Sequence, residues 1–329
     1  MTDKKIKVLT LSDHPMLPSG VGTQTRYAME ALLETEKFEV VSLGGAVKHK
    51  DYTPTNVEGY DGSWKVIPID GYGNPDAIRA MLSEYKPDIL YFMTDPRFYG
   101  WLWQMEHEIR PNVPMIYYHV WDNYPYPHYN KSYYDSNDMI VTISKVTSDL
   151  VQNVSPDVRE KYLPHAVDTE IFKPAETPEE IAKAKEMKLA VPDVEDKMVF
   201  FWNNRNARRK QSGTLIYWFK SFLDRVGHDK AILIMHTDIR DPHGQPLDYL
   251  LEQTGMNKGQ VIFSVNKLPP EELSYFYKFA DCTLNISDAE GFGLSTLESL
   301  SCGSPIIVKL TVDLQEQVTN GSQWFGWGI

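Results

Sequence analysis

Two glutamates, Glu290 and Glu298, lie eight positions apart near the end of the chain, and the glycine-rich turn 291–293 follows the first of them. The apolar residues 280–287 before them are typical of a buried strand, whereas residues 294–301 repeat leucine at helical spacing. The sequence therefore predicts that Glu290 lies in a loop after a strand and that Glu298 lies in the following helix.

This predicted loop has the properties of an anion-binding site. Glycine lets the backbone approach a ligand closely, and the amides of Gly293, Leu294 and Ser295 would lie at the positive end of the helix dipole. Glu290 and Glu298 could then accept hydrogen bonds from sugar hydroxyls on either side of the anion. We therefore expect this segment to bind a sugar that is attached to a diphosphate.

Strand-like and helix-like segments alternate along the chain, as is typical of parallel sheets covered by helices on both faces. One continuous helix is predicted at residues 98–110. The pattern restarts after a charged, proline-containing segment, so we divide the chain into an N-terminal Rossmann-like domain at 1–173, a connector at 174–196 and a C-terminal Rossmann-like domain at 197–329.

Three segments carry a resemblance to a known family: residues 290–308, 200–210 (FFWNNRNARRK) and 163–174 (LPHAVDTEIFKP). The first matches the E-x7-E signature of the retaining glycosyltransferases of the GT-B fold, in particular the family 4 type, the glycosyl transferases group 1. The second resembles that family's R-N-x-x-R-K segment, with Asn204 in place of a glycine. The third resembles its linker entry, with Ala166 in place of a glycine. The resemblance implies an α/β protein of two Rossmann-like parallel-sheet domains that face a central cleft. It also implies that the first domain lies on the acceptor side and that the second binds the nucleotide sugar.

The resemblance also assigns roles to side chains in these segments. Arg205 and Lys210 would stabilise the negative charge of the departing diphosphate. Glu298 would hold the ribose hydroxyls, and Glu290 would hold the hydroxyls of the donor sugar. The predicted catalytic residues are His119, Glu290, Arg205 and Lys210. The predicted donor-binding residues are Gly20, Gly22, Arg205, Lys210, Gly291, Phe292, Gly293, Leu294, Ser295 and Glu298.

Another glycine pair, Gly20 and Gly22, lies in the loop between the first predicted strand and the first predicted helix. A dinucleotide-binding loop would need a third glycine where Thr25 stands, so a dehydrogenase is disfavoured. The resemblance implies that this loop lies over the diphosphate and the acceptor when the domains close. A tight turn that needs a positive φ is an alternative reason for the glycines.

His119 lies at the end of a predicted strand, at the carboxyl edge of a parallel sheet, where open α/β folds bind ligands. The family has a histidine in the matching place that contacts the transferred sugar, although a polar residue satisfied within the protein is an alternative interpretation. Aromatic residues are dense in the polar segment 121–134, and aromatic faces suit sugar rings or bases equally well. We interpret that segment as a loop over the acceptor.

The composition is that of a globular chain: 329 residues, 42% of them hydrophobic and 24% charged. A formal net charge of -12 disfavours broad attraction to nucleic acid. It does not exclude a local basic groove at the cluster 205–210. An alternative interpretation of that cluster is a solvated helix start. The two cysteines indicate neither a disulfide framework nor a metal cluster. Because no segment has the length of a signal peptide or a membrane span, we expect a soluble protein of the cytoplasm.

Members of the resembling family usually continue for several more elements after the strand predicted here at 304–309, including a terminal helix that packs on the first domain. This chain stops at Ile329. We therefore expect either a truncated chain or a second domain that closes without the usual terminal helices.

These observations predict an enzyme that moves a hexose or pentose from a nucleotide-diphosphate sugar, such as a UDP- or GDP-sugar, to an acceptor hydroxyl. The resemblance implies retention of the anomeric configuration. No cofactor and no metal are expected, because no Asp-x-Asp pair follows a predicted strand. The acceptor stays open among a glycan, a lipid-linked molecule, a small molecule and a modified nucleotide. Two alternative functions also stay open: glycosylation of a modified base in DNA, and a non-catalytic partner subunit that binds a nucleotide sugar.

Overall fold

The computed structural model describes residues 4–60, 62–121 and 123–329, and the chain divides into two compact units, Met1–His165 and Ala166–Ile329. The predicted first domain extended to residue 173. The division in the structure comes earlier, before Ala166, and the segment predicted as a connector contributes a helix to the second unit.

Strands and helices alternate through the first unit. In chain order they are β1 (Ile6–Asp13), α1 (Gly20–Leu33), β2 (Phe38–Gly45), β3 (Thr55–Asn56), β4 (Trp64–Pro68), α2 (Pro75–Glu84), β5 (Ile89–Thr94), α3 (Gly100–Trp103), α4 (Glu106–Ile109), β6 (Met115–His119), α5 (Lys131–Asp135), β7 (Met139–Thr142), α6 (Lys145–Val154) and β8 (Glu160–Tyr162). The strands of the described residues form one sheet in the order β3-β4-β2-β1-β5-β6-β7-β8, and its pairs are parallel apart from β3 with β4.

The second unit repeats the alternation. Its elements are α7 (Pro178–Leu189), β9 (Met198–Asn203), α8 (Ser212–Val226), β10 (Ala231–His236), α9 (Leu247–Thr254), β11 (Val261–Ser264), α10 (Pro270–Phe279), β12 (Cys282–Asn285), α11 (Leu294–Ser301), β13 (Ile306–Val308), α12 (Val312–Val318) and β14 (Trp327–Gly328). A parallel sheet in the order β11-β10-β9-β12-β13-β14 runs through the unit. From β9, the strands that follow in sequence are added first on one side of it, as β10 and β11, and then on the other side, as β12, β13 and β14. Open α/β sheets bind ligands at the carboxyl ends of the two strands where this change occurs, here β9 and β12.

The apolar sequence of β9 explains its central position. Phe200 and Trp202 pack into the core on one face of the sheet, whereas Val199 and Phe201 pack into the core on the other face. A parallel strand covered on both faces needs apolar side chains at successive positions, which the run 198–202 supplies. Burial on both faces therefore fixes the position of β9, and its carboxyl end leads into the basic cluster 205–210.

Two segments differ from the predicted elements. The helix predicted at 98–110 is broken into a short 3-10 turn at 96–98 and the helices α3 and α4. Tyr99 is fully buried there, and its hydroxyl donates to the carbonyls of Leu11 and Met93 at 2.7 and 3.1 Å, which holds the chain against the sheet at a non-helical residue. After β13, which is shorter than the strand predicted at 304–309, the chain continues into α12 and β14.

Candidate active site

The site in the second unit is built where β9 and β12 end. After β9 the chain forms a single 3-10 turn, Arg208–Lys210, before α8 begins at Ser212. After β12 it forms the loop that carries Glu290. The two segments are joined because the amide of Asp288 donates to the carbonyl of Arg209 at 2.8 Å. The side chain of Asp288 also accepts hydrogen bonds from Gln211 and Lys309.

Lys210 and Glu290 form a buried ion pair between these two segments. The ammonium of Lys210 donates to Glu290 Oε1, and the two side chains are only 9% and 5% exposed. Burial by itself would raise the pKa of Glu290. The charge and hydrogen bond of Lys210, assisted by Arg209 and Ser287, outweigh burial and hold that pKa below its usual range. Glu290 is therefore ionised at neutral pH.

Two buried polar side chains complete the surroundings of Glu290. Ser287 Oγ donates to Glu290 Oε1 at 3.0 Å, and Asn285 Nδ2 lies 3.4 Å from the same oxygen. Asn285 Nδ2 also donates to Thr296 Oγ1 at 3.1 Å, which links the end of β12 to α11. Glu290 is therefore fixed in orientation, and with it Lys210.

Arg209 is a cation of this site that the sequence prediction did not include. Its Nη1 donates to the carbonyl of Ala289 at 2.6 Å and lies 3.5 Å from Glu290 Oε2, while the side chain is 44% exposed. The signal that could have found it is its place next to Lys210 in the basic cluster 205–210.

Arg205, in contrast, is directed to a different partner. Its Nε and Nη2 donate to the two oxygens of Asp241 at 2.5 and 3.1 Å, and Nη2 also lies 2.9 Å from His243 Nδ1. The hydrogen bond from Arg205 lowers the pKa of Asp241 to about 2. The structure therefore brings Lys210 and Glu290 together, but the recorded hydrogen bonds of Arg205 lie outside that group, and its role in charge stabilisation stays a prediction.

The glycine turn begins α11 as the sequence predicts. Gly293 has a φ of 87°, which favours glycine, and a Cβ there would lie 2.5 Å from a methyl group of Leu314 of α12, so that side chain would have to shift. Leu294 and Ser295 follow as the first helical residues, whose amides have no acceptor within the helix. Two further predicted residues lie just before the helix: Gly291, which is half-buried, and Phe292, which is buried.

Glu298 lies one turn further along α11 and contacts a separate pair of side chains. The hydroxyl of Tyr277 donates to Glu298 Oε2 at 2.5 Å, and Asn203 Nδ2, at the end of β9, lies 3.5 Å from the same oxygen. Burial raises the pKa of Glu298 to about 7, against the opposing effect of these hydrogen bonds. The carboxyl group is thus poised to change its ionisation near neutral pH.

His119 belongs to the first unit, at the carboxyl end of β6. It is fully buried, and its two ring nitrogens lie 3.1 Å from the hydroxyl of Tyr117 and 2.7 Å from the hydroxyl of Tyr134. Burial lowers the pKa of His119 to about 3, so the ring is neutral. These are the features of a polar residue satisfied within the protein, and contact with a sugar stays a prediction.

Gly20 and Gly22 lie in the first turn of α1, which begins after the capping residue Ser19. Ser19 Oγ accepts from the amide of Gly22 at 3.0 Å and donates to Asp13 Oδ2 at 2.6 Å. The interpretation that a positive φ requires the glycines is wrong for Gly22, because that residue is helical. A Cβ on it would lie 2.8 Å from the carbonyl of His14, so close packing requires the glycine.

Across residues 4–60, 62–121 and 123–329, no three histidine, cysteine, aspartate or glutamate side chains cluster as ligands of a metal ion. In the same residues, no helix combines the length and apolar character that crossing a membrane requires.

Comparison with known proteins identifies the second unit. Residues 185–326 match the sequence profile of the family Glycosyl transferases group 1. An alpha-monoglucosyldiacylglycerol synthase of Streptococcus pneumoniae is 28% identical over 172 residues, which make up 52% of this chain and 37% of that protein. The matched region therefore spans little more than a third of this relative's length.

Solved structures resemble almost the whole chain. Sucrose-phosphate synthase from Thermosynechococcus elongatus has a TM-score of 0.78 at 17% identity, covering 99% of this chain and 86% of that one. Anabaena HepE, solved in complex with UDP-glucose, has a TM-score of 0.72 at 14% identity, covering 98% of this chain and 85% of that one. At such identities the likeness establishes the fold. The second unit therefore carries a domain of the glycosyl transferases group 1 family, and the chain has the GT-B fold of glycosyltransferases.

Proposed function

We propose that this chain is a glycosyltransferase that moves a sugar from a nucleotide-diphosphate sugar to an acceptor hydroxyl. The observation that carries the proposal is the buried pair of Lys210 and Glu290 at the carboxyl ends of β9 and β12, beside Arg209 and the first amides of α11. A lysine held in this way supplies a fixed positive charge without the reorganisation that a solvated side chain would need.

The diphosphate is the part of the donor that needs this charge. When the bond between the anomeric carbon and the diphosphate oxygen breaks, negative charge develops on the departing phosphate. Lys210, Arg209 and the amides of Leu294 and Ser295 are donors suited to that charge. The proposed reaction needs no metal, because these groups supply the positive charge.

The ribose and the sugar have separate carboxylates in this proposal. Glu298 accepts hydrogen bonds from the ribose hydroxyls. Tyr277 and Asn203 donate to its Oε2 and so hold the carboxylate in position for this role. Glu290 fixes Lys210 through Oε1, while Oε2 retains accepting capacity for a hydroxyl of the donor sugar beside Arg209. The donor in this proposal is a UDP- or GDP-sugar.

We infer that transfer occurs with retention. The acceptor hydroxyl attacks from the face that the diphosphate leaves, its proton passes to an oxygen of the departing phosphate, and the new bond joins the acceptor oxygen to the anomeric carbon. Glu290 does not act as a nucleophile, because its hydrogen bonds and the charge of Lys210 stabilise the carboxylate in its present position.

Nucleotide binding followed by donor turnover tests the proposal. The full chain is heated with UDP, GDP, ADP or CMP, and a ligand that binds only the native state raises the melting temperature. The glucose conjugate of the stabilising nucleotide is then incubated with the chain, and release of the free nucleoside diphosphate is measured. We expect stabilisation by UDP or GDP and slow release from the conjugate. Failure of all four nucleotides to stabilise the chain contradicts the proposal.

A further inference from the structure

A group of exposed aromatic rings follows β6 in the first unit. The group consists of Trp121, Tyr124, Tyr126 and Tyr129, and we call it the aromatic platform. Tyr124 and Tyr126 are 38% and 37% exposed and Tyr129 is 74% exposed, whereas Trp121 is half-buried. Aromatic rings of this size are usually buried, so several exposed together point to a ligand.

Hydrogen bonds hold three of the four platform rings in place. The hydroxyls of Tyr124 and Tyr126 both donate to Oδ2 of Asp149, which lies on α6, at 3.2 and 3.1 Å. Their rings are nearly perpendicular, with centroids 5.6 Å apart. Trp121 Nε1 donates to the carbonyl of Asn123 at 2.6 Å. Rings that are already oriented lose little conformational entropy when a ligand binds.

The platform continues from the predicted ligand edge of the sheet. The ring of Trp121 lies 6.1 Å from the ring of His119 and 6.3 Å from the ring of Tyr129. The rings therefore run from the buried carboxyl end of β6 out to solvent, along the side of the first sheet where an open α/β fold binds ligands.

The chemistry of the platform favours a saccharide over other ligands. A sugar ring presents C–H groups on its faces and hydroxyls around its rim, which match aromatic faces beside tyrosine hydroxyls and a carboxylate. A nucleic-acid platform would add cations that follow the phosphates. Here the hydroxyls of Tyr124 and Tyr126 contact the carboxylate of Asp149, and Lys131, two residues after Tyr129, is paired with Asp135. An anionic lipid surface has the same requirement for cations.

We propose that the aromatic platform binds a saccharide, which is the acceptor of the transfer reaction. This inference rests on the proposed glycosyltransferase function, and it narrows the acceptor to a carbohydrate. Stacking on Tyr129 and hydrogen bonds to the tied hydroxyls of Tyr124 and Tyr126 hold the saccharide.

Titration of disaccharides tests the inference on the full chain. Maltose, cellobiose and N-acetyllactosamine are titrated into the wild-type protein, into Tyr129→Ala and into the control Tyr217→Ala, and binding is measured by calorimetry and saturation-transfer NMR. Tyr217 is a matched control, because it is 53% exposed and lies on α8 of the other unit. We expect at least one disaccharide to bind, with affinity reduced roughly tenfold in Tyr129→Ala and unchanged in Tyr217→Ala.

Two further probes separate the competing ligands. A single-stranded 12-mer oligonucleotide and vesicles of phosphatidylcholine with phosphatidylglycerol are titrated in the same way. The inference is overturned if no disaccharide binds, if Tyr129→Ala binds as well as the wild type, or if Tyr129→Ala abolishes binding of the oligonucleotide or the vesicles instead. Nucleotide stabilisation in the same samples keeps the two proposals apart. Stabilisation without saccharide binding overturns this inference alone, and saccharide binding without stabilisation overturns the proposed donor chemistry alone.

Discussion

The second unit buries an ionised pair, whereas the first unit buries a neutral ring. Lys210 and Glu290 each keep a charge because the other compensates it, and that compensation holds the pKa of Glu290 below its usual range. Among the residues that the structure describes, His119 has two tyrosine hydroxyls as hydrogen-bond partners, and burial lowers its pKa to about 3. In the proposed reaction, the second unit would therefore stabilise charge on the ligand, and the first unit would contribute shape, hydrogen bonds and aromatic surface.

Removing one partner of the ion pair should have the largest effect. Lys210→Met leaves the buried Glu290 with only the partly exposed Arg209 to compensate its charge, so we expect the free energy of unfolding to fall by about 3 kcal/mol. Transfer should fall by roughly one to two orders of magnitude, because a charge-assisted contact to the diphosphate is lost. Urea denaturation measures the stability, and release of nucleoside diphosphate with acceptor present measures the transfer.

The double variant Glu290→Gln with Lys210→Met separates folding from chemistry. Both charges are then absent, so most of the lost stability should return while transfer stays low. Glu290→Gln alone should keep nucleotide affinity and lose most of the transfer. If the double variant regains activity together with stability, the pair is structural and the comparison between the units loses its functional meaning.

Replacing the second carboxylate should act on nucleotide binding. Glu298→Gln should weaken UDP or GDP roughly tenfold, because the ribose hydroxyls lose an ionised acceptor. Since burial raises the pKa of Glu298 to about 7, the free carboxyl group is largely protonated at pH 6 and binding of the nucleotide must release that proton. Wild-type affinity should therefore rise from pH 6 to pH 8 and then level off.

Calorimetry in two buffers of different ionisation enthalpy counts the protons released. The nucleotide phosphate also titrates in this range, so the informative quantity is the difference between the wild type and Glu298→Gln. An identical proton count in the two proteins rules out the ribose role of Glu298.

Replacing the neutral histidine should have a smaller effect, confined to transfer. His119→Ala should lower the transfer rate severalfold while nucleotide affinity is nearly unchanged, because the nucleotide contacts proposed here belong to the other unit. Because burial lowers the pKa of His119 to about 3, its ring does not titrate between pH 5 and pH 9. A limb in the wild-type pH–rate profile near pH 6 that disappears in His119→Ala would contradict a neutral role.

The same comparison explains what the sequence could predict. The strand, glycine turn and helix around Glu290 and Glu298 are local features, and periodicity together with glycine placed them correctly. The pairing of cations is not local. Arg205 donates hydrogen bonds to Asp241, which lies 36 residues later in the sequence. Arg209 donates to the carbonyl of Ala289, which lies 80 residues later. Spacing within the basic cluster contains no information about either partner.

Elements that depend on tertiary packing were also missed. The helix predicted at 98–110 breaks where Tyr99 becomes buried against β1 and β5, because the ring and its hydroxyl are satisfied by the sheet. The strands β3 and β14 have two residues each, too few to show a period of their own, and the sheet supplies their hydrogen bonds. The close approach at Gly22 was likewise invisible, because it depends on the carbonyl of His14.

Chelation should have the smallest effect of all. If Lys210, Arg209 and the amides at the start of α11 supply the positive charge, a divalent ion adds nothing that the reaction requires. We therefore expect EDTA to leave the transfer rate within experimental error of the untreated protein, and added manganese to cause no gain. The matched control is Lys210→Met in the same assay, because the loss of this protein cation should lower the transfer rate, whereas removal of metal ions should not. If EDTA abolishes transfer, manganese restores it and Lys210→Met is silent, the charge comes from a bound ion, and the buried pair must be assigned to folding alone.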